Sequence, residues 1–215
     1  MTAFGVIFTS CSNPIIIKDL MHQQDGHFMY GETPERNFYY PVEIGDSLHE
    51  VWRDDMHGSF PLSSIITYSD YAFAPDLSGR VFGFNIREGE SFGNMHEDDG
   101  EVAVAPVMFK FVLVYVRNNY KADYATVNFY NVYLNNYINK FKIKGAVRNE
   151  MLIANEGIYI LNDKGTLYKV NFNGNIIWEQ ETKKDVSSSP AFSEGKILYG
   201  NDRGEITAVS EDGEI

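Results

Sequence analysis

The sequence predicts an all-β fold, a β-propeller of about five four-stranded blades, because three features recur in step along the chain. Turn glycines, prolines ahead of short apolar segments, and large aromatic residues return at a period of roughly 40 residues, which is typical of propeller blades. The chain has 215 residues, enough for one domain of this kind. Its 15 Phe and 14 Tyr favour strands, because large rings pack well on a pleated, half-buried surface.

The turn glycines are the clearest repeated feature. Residues 162–171 read NDKGTLYKVN and residues 201–210 read NDRGEITAVS, so Gly165 and Gly204 lie 39 residues apart in matching contexts. Gly79, in a similar segment, precedes Gly165 by 86 residues, or two periods. Glycine supplies the positive φ that a tight hairpin turn requires. The copies expected near residues 36 and 122 have longer polar turns without glycine at this position.

Prolines form the second repeated feature. Short segments ahead of four hairpins carry Pro14, Pro61, Pro106 and Pro190, whereas the segment at 148–155 lacks a proline. Proline has no N–H to donate and is tolerated at strand starts and sheet edges. Each of these prolines therefore predicts the start of an inner strand.

Tryptophan marks a third position in the repeat. Trp178 follows Gly165 by 13 residues, and Trp52 ends the first unit. We interpret both as aromatic residues of an outer strand that pack against the neighbouring blade, in preference to ligand contacts.

These anchors divide one domain into units at 9–52, 53–95, 96–142, 143–181 and 182–215, with residues 1–8 added to the last unit. The last unit stops shortly after Gly213, without the outer strand that follows Gly174 in the unit before. The chain begins with an extra apolar strand at residues 3–8. We expect this strand to complete the last blade and close the ring, which would pair strand edges that otherwise invite aggregation. The alternative is a section of a longer propeller.

The repeat resembles the quinoprotein-type (PQQ-like) propeller repeat. The resemblance is carried by SSSPAFSEGKILYGNDRGEITAV at 187–209 and by GIYILNDKGTLYKVNFNGNIIW at 157–178. It implies the propeller fold, and for the quinoprotein dehydrogenases a catalytic Asp and a Ca²⁺-held quinone on the channel axis. None of those residues can be placed in this sequence. We therefore predict no catalytic residue and no cofactor.

Composition limits the partners and the compartment. The net charge is −12, which repels phosphate backbones and predicts no nucleic-acid binding. The apolar run at 102–116 is interrupted by Lys110 and is too short for a membrane span, so it predicts two buried strands. The N-terminus lacks the features of a signal peptide, which leaves a cytoplasmic protein or an exported one whose signal has been removed. A single cysteine, Cys11, excludes an intramolecular disulfide.

No metal site is predicted. The five histidines form no zinc-binding pattern, and the acidic run at 96–101 lacks the alternate-residue spacing of an EF-hand loop. The Asn-Asp-basic-Gly turns repeat with the blades, so we interpret them as hairpins.

The function predicted from these observations is a non-enzymatic binding or scaffold module for a protein or peptide. The alternatives are a carbohydrate-binding propeller, in which aromatic residues on each blade stack on sugars, and a quinone- or metal-dependent enzyme. The Tyr-rich segment at 115–141 suggests a binding surface, since exposed rings give contact area at low entropic cost. Its alternative interpretation, which the pattern favours, is a long hairpin with alternating rings. The candidate surface residues are Tyr120, Tyr124, Tyr130, Tyr133 and Tyr137.

Overall fold

The computed structural model describes residues 13–19, 26–41, 43–63, 65–96, 100–182 and 185–215. Those residues form 15 β-strands and no helix, and they accordingly contain no helix able to span a bilayer. The all-β prediction is therefore confirmed. The strands are β1 Ile66–Tyr68, β2 Tyr71–Pro75, β3 Arg80–Asn85, β4 Ser91–His96, β5 Val107–Phe109, β6 Val112–Asn119, β7 Tyr124–Asn131, β8 Asn136–Lys144, β9 Leu152–Ala154, β10 Gly157–Leu161, β11 Thr166–Val170, β12 Ile176–Glu181, β13 Ala191–Ser193, β14 Lys196–Gly200 and β15 Ile206–Ser210.

The strands form four antiparallel sheets in which neighbours in sequence are neighbours in space. The orders are β1-β2-β3-β4, β5-β6-β7-β8, β9-β10-β11-β12 and β13-β14-β15. Because consecutive strands run in opposite directions, successive turns alternate between the two faces of the molecule. Each sheet thus begins with a three-residue inner strand and proceeds outward.

The turns that join the second and third strands contain the predicted glycines. Gly79, Gly165 and Gly204 have φ angles of 85°, 79° and 76°, in the left-handed region that favours glycine. In each turn an Asx side chain accepts hydrogen bonds from the backbone N–H groups two and four residues later. These Asx residues are Asp76, Asn162 and Asn201.

The prolines divide into two groups. Pro106 and Pro190 directly precede the inner strands β5 and β13, and Pro61 lies five residues before β1. Pro14 lies elsewhere: the Asn94 N–H of β4 donates to Asn13 O at 2.8 Å, which places the Pro14 segment at the outer edge of the first sheet. The prediction that Pro14 begins an inner strand is therefore wrong.

The first predicted unit, 9–52, forms no strand in the part of it that the structure describes. The described residues accordingly contain four sheets, and a fifth blade is not confirmed. Residues 3–8 lie outside the described residues, so ring closure by that segment stays a prediction. Cys11 lies outside them as well.

The core lies between the sheets. One apolar cluster extends through the second, third and fourth sheets, and another joins the first and second sheets and includes Ile15 and Ile17. Strand β10 is buried along its entire length, as expected for a strand covered on both sides. The apolar run at 102–116 supplies β5 and most of β6, as predicted.

Both tryptophans contact a turn of the following sheet. The Trp178 Nε1–H of β12 donates to the Glu211 carbonyl at 2.9 Å, and its ring lies over Gly213. The Trp52 Nε1–H donates to the Ile86 carbonyl at 2.6 Å, and its ring lies over Gly89 in the β3–β4 turn. Trp52 is not in a strand, yet it makes the contact that Trp178 makes from an outer strand.

Candidate functional site

A segment from the N-terminal part of the chain, residues 26–36, crosses all four inner strands; we call it the axial segment. The middle residue of each inner strand uses its N–H to contact this segment, at 2.8–2.9 Å for oxygen acceptors and 3.4 Å for the one sulfur. Since the inner strands are paired on only one edge within their sheets, their other edges converge on the axial segment. The pairs are Thr67 with His27 O, Met108 with Phe28 O, Ile153 with Met29 Sδ, and Phe192 with Pro34 O.

Arg36 fixes the end of the axial segment. Its Nε donates to Pro190 O at 2.5 Å, and its Nη2 donates to the carbonyls of Glu150 and Met151, each at 3.0 Å. Its Nη1 donates to Tyr30 O. The guanidinium thus connects the axial segment to the chain entering the third and fourth sheets. Burial lowers the pKa of Arg36, and the nearby Glu150 carboxylate opposes that effect.

Glu150 is a buried carboxylate beside this arginine. Its Oε2 accepts a hydrogen bond from the Ala105 N–H at 2.8 Å, and its own N–H donates to Ser189 Oγ at 2.9 Å. Burial raises the pKa of the Glu150 carboxyl, while the Ala105 hydrogen bond and Arg36 act in the opposite direction. Glu150 and Arg36 together form a polar network at one end of the axis.

This arrangement does not fit a quinone held by Ca²⁺ on the axis. Such a cofactor requires an open chamber and several oxygen ligands for the metal. Residues 27–34 contact all four inner strands and occupy that position. Among the described residues, no group of three or more His, Cys, Asp or Glu side chains is placed to hold a metal ion.

The chain that leaves the axis, residues 38–62, exposes many large apolar side chains; we call it the apolar segment. Tyr39 is 70%, Ile44 75% and Leu48 86% exposed. Such a concentration of exposed apolar side chains is unusual for the surface of a monomeric protein and is typical of interaction sites. The other large apolar residues exposed in this segment are Phe38, Tyr40, Val51, Trp52, Phe60 and Leu62.

The apolar segment is fastened to the first sheet near its C-terminal end. The Leu77 N–H donates to Ser59 O at 2.9 Å. Met56 packs against the apolar cluster on the face of this sheet that points away from the second sheet. Acidic residues are interspersed with the apolar ones: Glu43, Asp46, Glu50, Asp54 and Asp55. The segment therefore combines apolar contact area with negative charge.

A cavity of about 480 Å³ lies where the axial and apolar segments meet. It is lined by His27, Glu32, Phe38, Tyr39, Tyr40, Pro41 and Ile44. The rings of His27 and Tyr40 meet edge to face, with their centroids 4.6 Å apart. The Glu32 Oε2 atom is buried and accepts no hydrogen bond within the described part of the chain, and it lies 3.6 Å from His27 Nδ1.

The five tyrosines suggested as a binding surface do not lie together. Tyr120 and Tyr124 lie at one end of β7, whereas Tyr133 and Tyr137 lie at the other end. Tyr130 is only 2% exposed and belongs to the core between the first and second sheets. A single surface formed by all five is therefore wrong, because Tyr130 is buried and the other four are divided between opposite faces.

The sequence did not reveal the axial segment. Residues 27–44 read as strand, polar turn and strand, and the structure does contain a turn there, with the Arg36 N–H donating to Thr33 O at 2.9 Å. No strand flanks that turn in the described ranges 26–41 and 43–63. The one signal in the sequence was the lack of glycine at the expected turn position.

Sheets that begin at a common axis and proceed outward define a β-propeller, and comparisons with known proteins agree. A family described as outer membrane protein assembly factor BamB matches residues 138–215. BamB from Moraxella catarrhalis is similar in structure, with 14% identity and a TM-score of 0.54 over 68% of this chain and 42% of BamB. The computationally designed Ika4 protein has 12% identity and a TM-score of 0.64, over 76% of this chain and 99% of Ika4.

A europium-containing methanol dehydrogenase is also similar, with 10% identity and a TM-score of 0.57 over 70% of this chain and 40% of the enzyme. This chain thus spans less than half the length of BamB and of the dehydrogenase. None of the curated protein sequences compared with the chain is similar enough to count as a match. The chain thus has the β-propeller fold, and its C-terminal part, residues 138–215, matches a PQQ-like repeat family, in agreement with the resemblance seen in the sequence.

Proposed function

We propose that this protein is a non-catalytic propeller that binds a protein partner through its apolar segment, residues 38–62. The observation that carries the proposal is the exposure of nine large apolar side chains within that one segment. Burying one such side chain against a partner contributes roughly 1.5–3 kcal/mol, so a few of them suffice for the centre of an interface.

The rest of the molecule suits this role. The sheets form a packed body, and the axial segment and the Ser59–Leu77 hydrogen bond hold the apolar segment at both ends. The interspersed carboxylates favour a partner with basic residues around an apolar centre. The family that matches residues 138–215 is described as an assembly factor, which agrees with a protein partner.

The two alternative functions receive less support. A carbohydrate-binding propeller would place an exposed ring on each blade. In the described residues, however, the exposed large aromatic side chains precede the first sheet or belong to the second. A quinone-dependent enzyme would need the axial space that residues 27–34 occupy.

The proposal is tested by site-specific cross-linking followed by measurement of affinity. A photoreactive phenylalanine analogue is placed at position 48 in the apolar segment, or at position 177 in β12, where Ile177 is also exposed. The partner cross-linked from position 48 in cells is then purified and titrated calorimetrically against the protein. We expect the double variant Ile44→Asp, Leu48→Asp to weaken binding by at least tenfold, and Ile177→Asp to leave the affinity unchanged.

Two results would overturn the proposal. One is a partner that cross-links equally from positions 48 and 177. The other is a partner whose affinity is the same for the double variant and for the unaltered protein, provided that circular dichroism shows both to be folded.

A further inference from the structure

We propose that the cavity between the axial and apolar segments binds a cationic side chain, lysine or arginine, from the protein partner. The inference rests on the proposed function, since it names the chemistry of the partner. It is carried by the carboxylate of Glu32, which lines an open cavity beside aromatic rings and has one buried oxygen without a hydrogen-bond donor among the described residues.

The carboxylate is the first requirement for such a site. A buried carboxylate oxygen that accepts no hydrogen bond is costly, and a charged N–H donor is the partner that satisfies it best. Glu32 Oε2 is such an oxygen, since it is buried and accepts no hydrogen bond within the described residues. The nearest cationic candidate, His27 Nδ1, lies 3.6 Å away, which is too far for a hydrogen bond. The Glu32 side chain lines the cavity and is 30% exposed, and rotation of its carboxylate about the terminal torsion would turn this oxygen toward an N–H of a ligand that enters.

The aromatic walls are the second requirement. Phe38, Tyr39 and Tyr40 line the cavity, and aromatic faces attract ammonium and guanidinium groups through the ring quadrupole. Tyr40 is held edge to face against His27, and Phe38 is held against Tyr30 with ring centroids 5.1 Å apart. Tyr39 is 70% exposed and forms the open side. Two walls are thus positioned before the ligand arrives, which lowers the entropic cost of binding.

Size and charge select the ligand further. A volume of about 480 Å³ accommodates a long side chain and is much larger than a metal ion needs. Glu43 and Asp46, which lie on either side of the cavity-lining Ile44 in the sequence, add negative charge that repels anions and attracts cations. Lysine and arginine share the required charge and length, and the experiment distinguishes between them.

The test is an NMR titration of the whole chain with small probes. Nα-acetyl-lysine methylamide and Nα-acetyl-arginine methylamide are compared with the neutral norleucine and citrulline analogues, and the side-chain signals of His27, Tyr39 and Tyr40 are followed. We expect saturable shifts with at least one cationic probe, in the millimolar range expected for a single side chain. The neutral analogues should cause at least fivefold smaller shifts at equal concentration.

Matched variants identify the site. Glu32→Gln should weaken the binding of the cationic probe at least fivefold. Glu156→Gln removes the same charge from an exposed residue of the β9–β10 turn, which does not line the cavity, and it should leave the binding unchanged. Tyr39→Leu, at a largely exposed position, should also weaken binding without unfolding the protein, which keeps the test informative if Glu32→Gln is unstable.

Equal shifts with norleucine and lysine probes, or unaltered binding by Glu32→Gln and Tyr39→Leu, would overturn the inference. The same variants titrated with the cross-linked partner separate the two proposals. If the partner binds Glu32→Gln and Tyr39→Leu normally but no longer binds the double variant Ile44→Asp, Leu48→Asp, the cation site is refuted and the protein-binding function is supported.

Discussion

At the residue scale, glycines at the same position of the repeat have different surroundings. A Cβ built on Gly79 would lie 2.8 Å from the Gly100 carbonyl oxygen, whereas a Cβ on Gly204 would meet nothing within 4 Å. Their φ angles are nearly the same, 85° and 76°. The two positions therefore separate the cost of a left-handed backbone from the cost of a steric clash.

Gly204→Ala should lower the free energy of unfolding by only about 1 kcal/mol, the cost of placing a side chain in the left-handed region. Gly79→Ala should lower it by at least about 1 kcal/mol more, because the added methyl group meets backbone that cannot move aside easily. Urea unfolding followed by circular dichroism measures both. Equal losses for the two variants would contradict the packing described around Gly79.

Glu150 should make stability depend on pH. Its pKa is raised by burial in the folded protein, so its favourable contribution is present below its ordinary value of 4.5 and is lost as the pH rises through the folded-state pKa. Glu150→Gln keeps an oxygen for the Ala105 N–H but does not titrate. We expect the variant to gain stability relative to the unaltered protein as the pH rises from about 4 to about 7.

Urea unfolding at several pH values measures this difference. Glu156→Gln, a change of the same type at an exposed residue of the β9–β10 turn, is the control. A difference between Glu150→Gln and the unaltered protein that stays constant over this pH range would contradict the prediction.

At the element scale, local sequence signals explain the sheets but not the axial segment. Turns and strand starts depend on the conformation of a few adjacent residues, so they could be predicted from the sequence. This holds for the turn glycines at 79, 165 and 204 and for the prolines at 106 and 190. The axial segment depends on N–H groups of strands far along the chain, and nothing local marks that pairing. Its apolar–polar–apolar pattern resembles that of a hairpin, but in the structure the segment contacts the inner strands of the four sheets.

Arg36→Met should destabilise the fold by roughly 2–4 kcal/mol, because it removes donors to four carbonyls and leaves the buried Glu150 without its cation. Arg53→Met is a matched change at an exposed ion pair with Glu50, where an effect below about 1 kcal/mol is expected. Chemical denaturation of both variants provides the comparison. If Arg36→Met were as mild as Arg53→Met, the axial network would contribute little to stability.

At the scale of the whole molecule, the two sides of the last sheet differ. Ile197, Tyr199 and Val209 face the third sheet and are buried, whereas Ile206 and Ala208 are exposed. Strand β10 of the third sheet has no such difference, since it is buried throughout. Within the described residues, the fourth sheet is therefore less shielded from solvent than the third.

Hydrogen exchange measured by mass spectrometry should show this gradient. Peptides covering 206–210 in β15, which among the described residues pairs only with β14, should exchange at least tenfold faster than peptides covering 166–170 in β11, which pairs with both β10 and β12. Equal protection of β11 and β15 would indicate that another segment covers the last sheet. Residues 3–8 are the segment that the repeat phase predicts for that position.

The propeller fold could be predicted from the sequence because turn glycines, prolines and aromatic residues recur with the period of the blades. The number of sheets could not, since Pro14 matches the repeat in sequence yet lies against the edge of β4. The cavity near Glu32 could not be predicted either, because it forms only where the chain doubles back near Arg36.

The axial segment also has a consequence for the order of assembly during translation. The hydrogen bond from Arg36 to Pro190 O needs a residue 154 positions later, whereas its bonds to Tyr30, Glu150 and Met151 need only earlier parts of the chain. The axial segment can pack against the inner strands of the first three sheets as they emerge from the ribosome, but its contact with β13 is missing until the last sheet has been made. Sheets one to three can therefore form during synthesis, whereas the axial segment makes its contact with the fourth described sheet last.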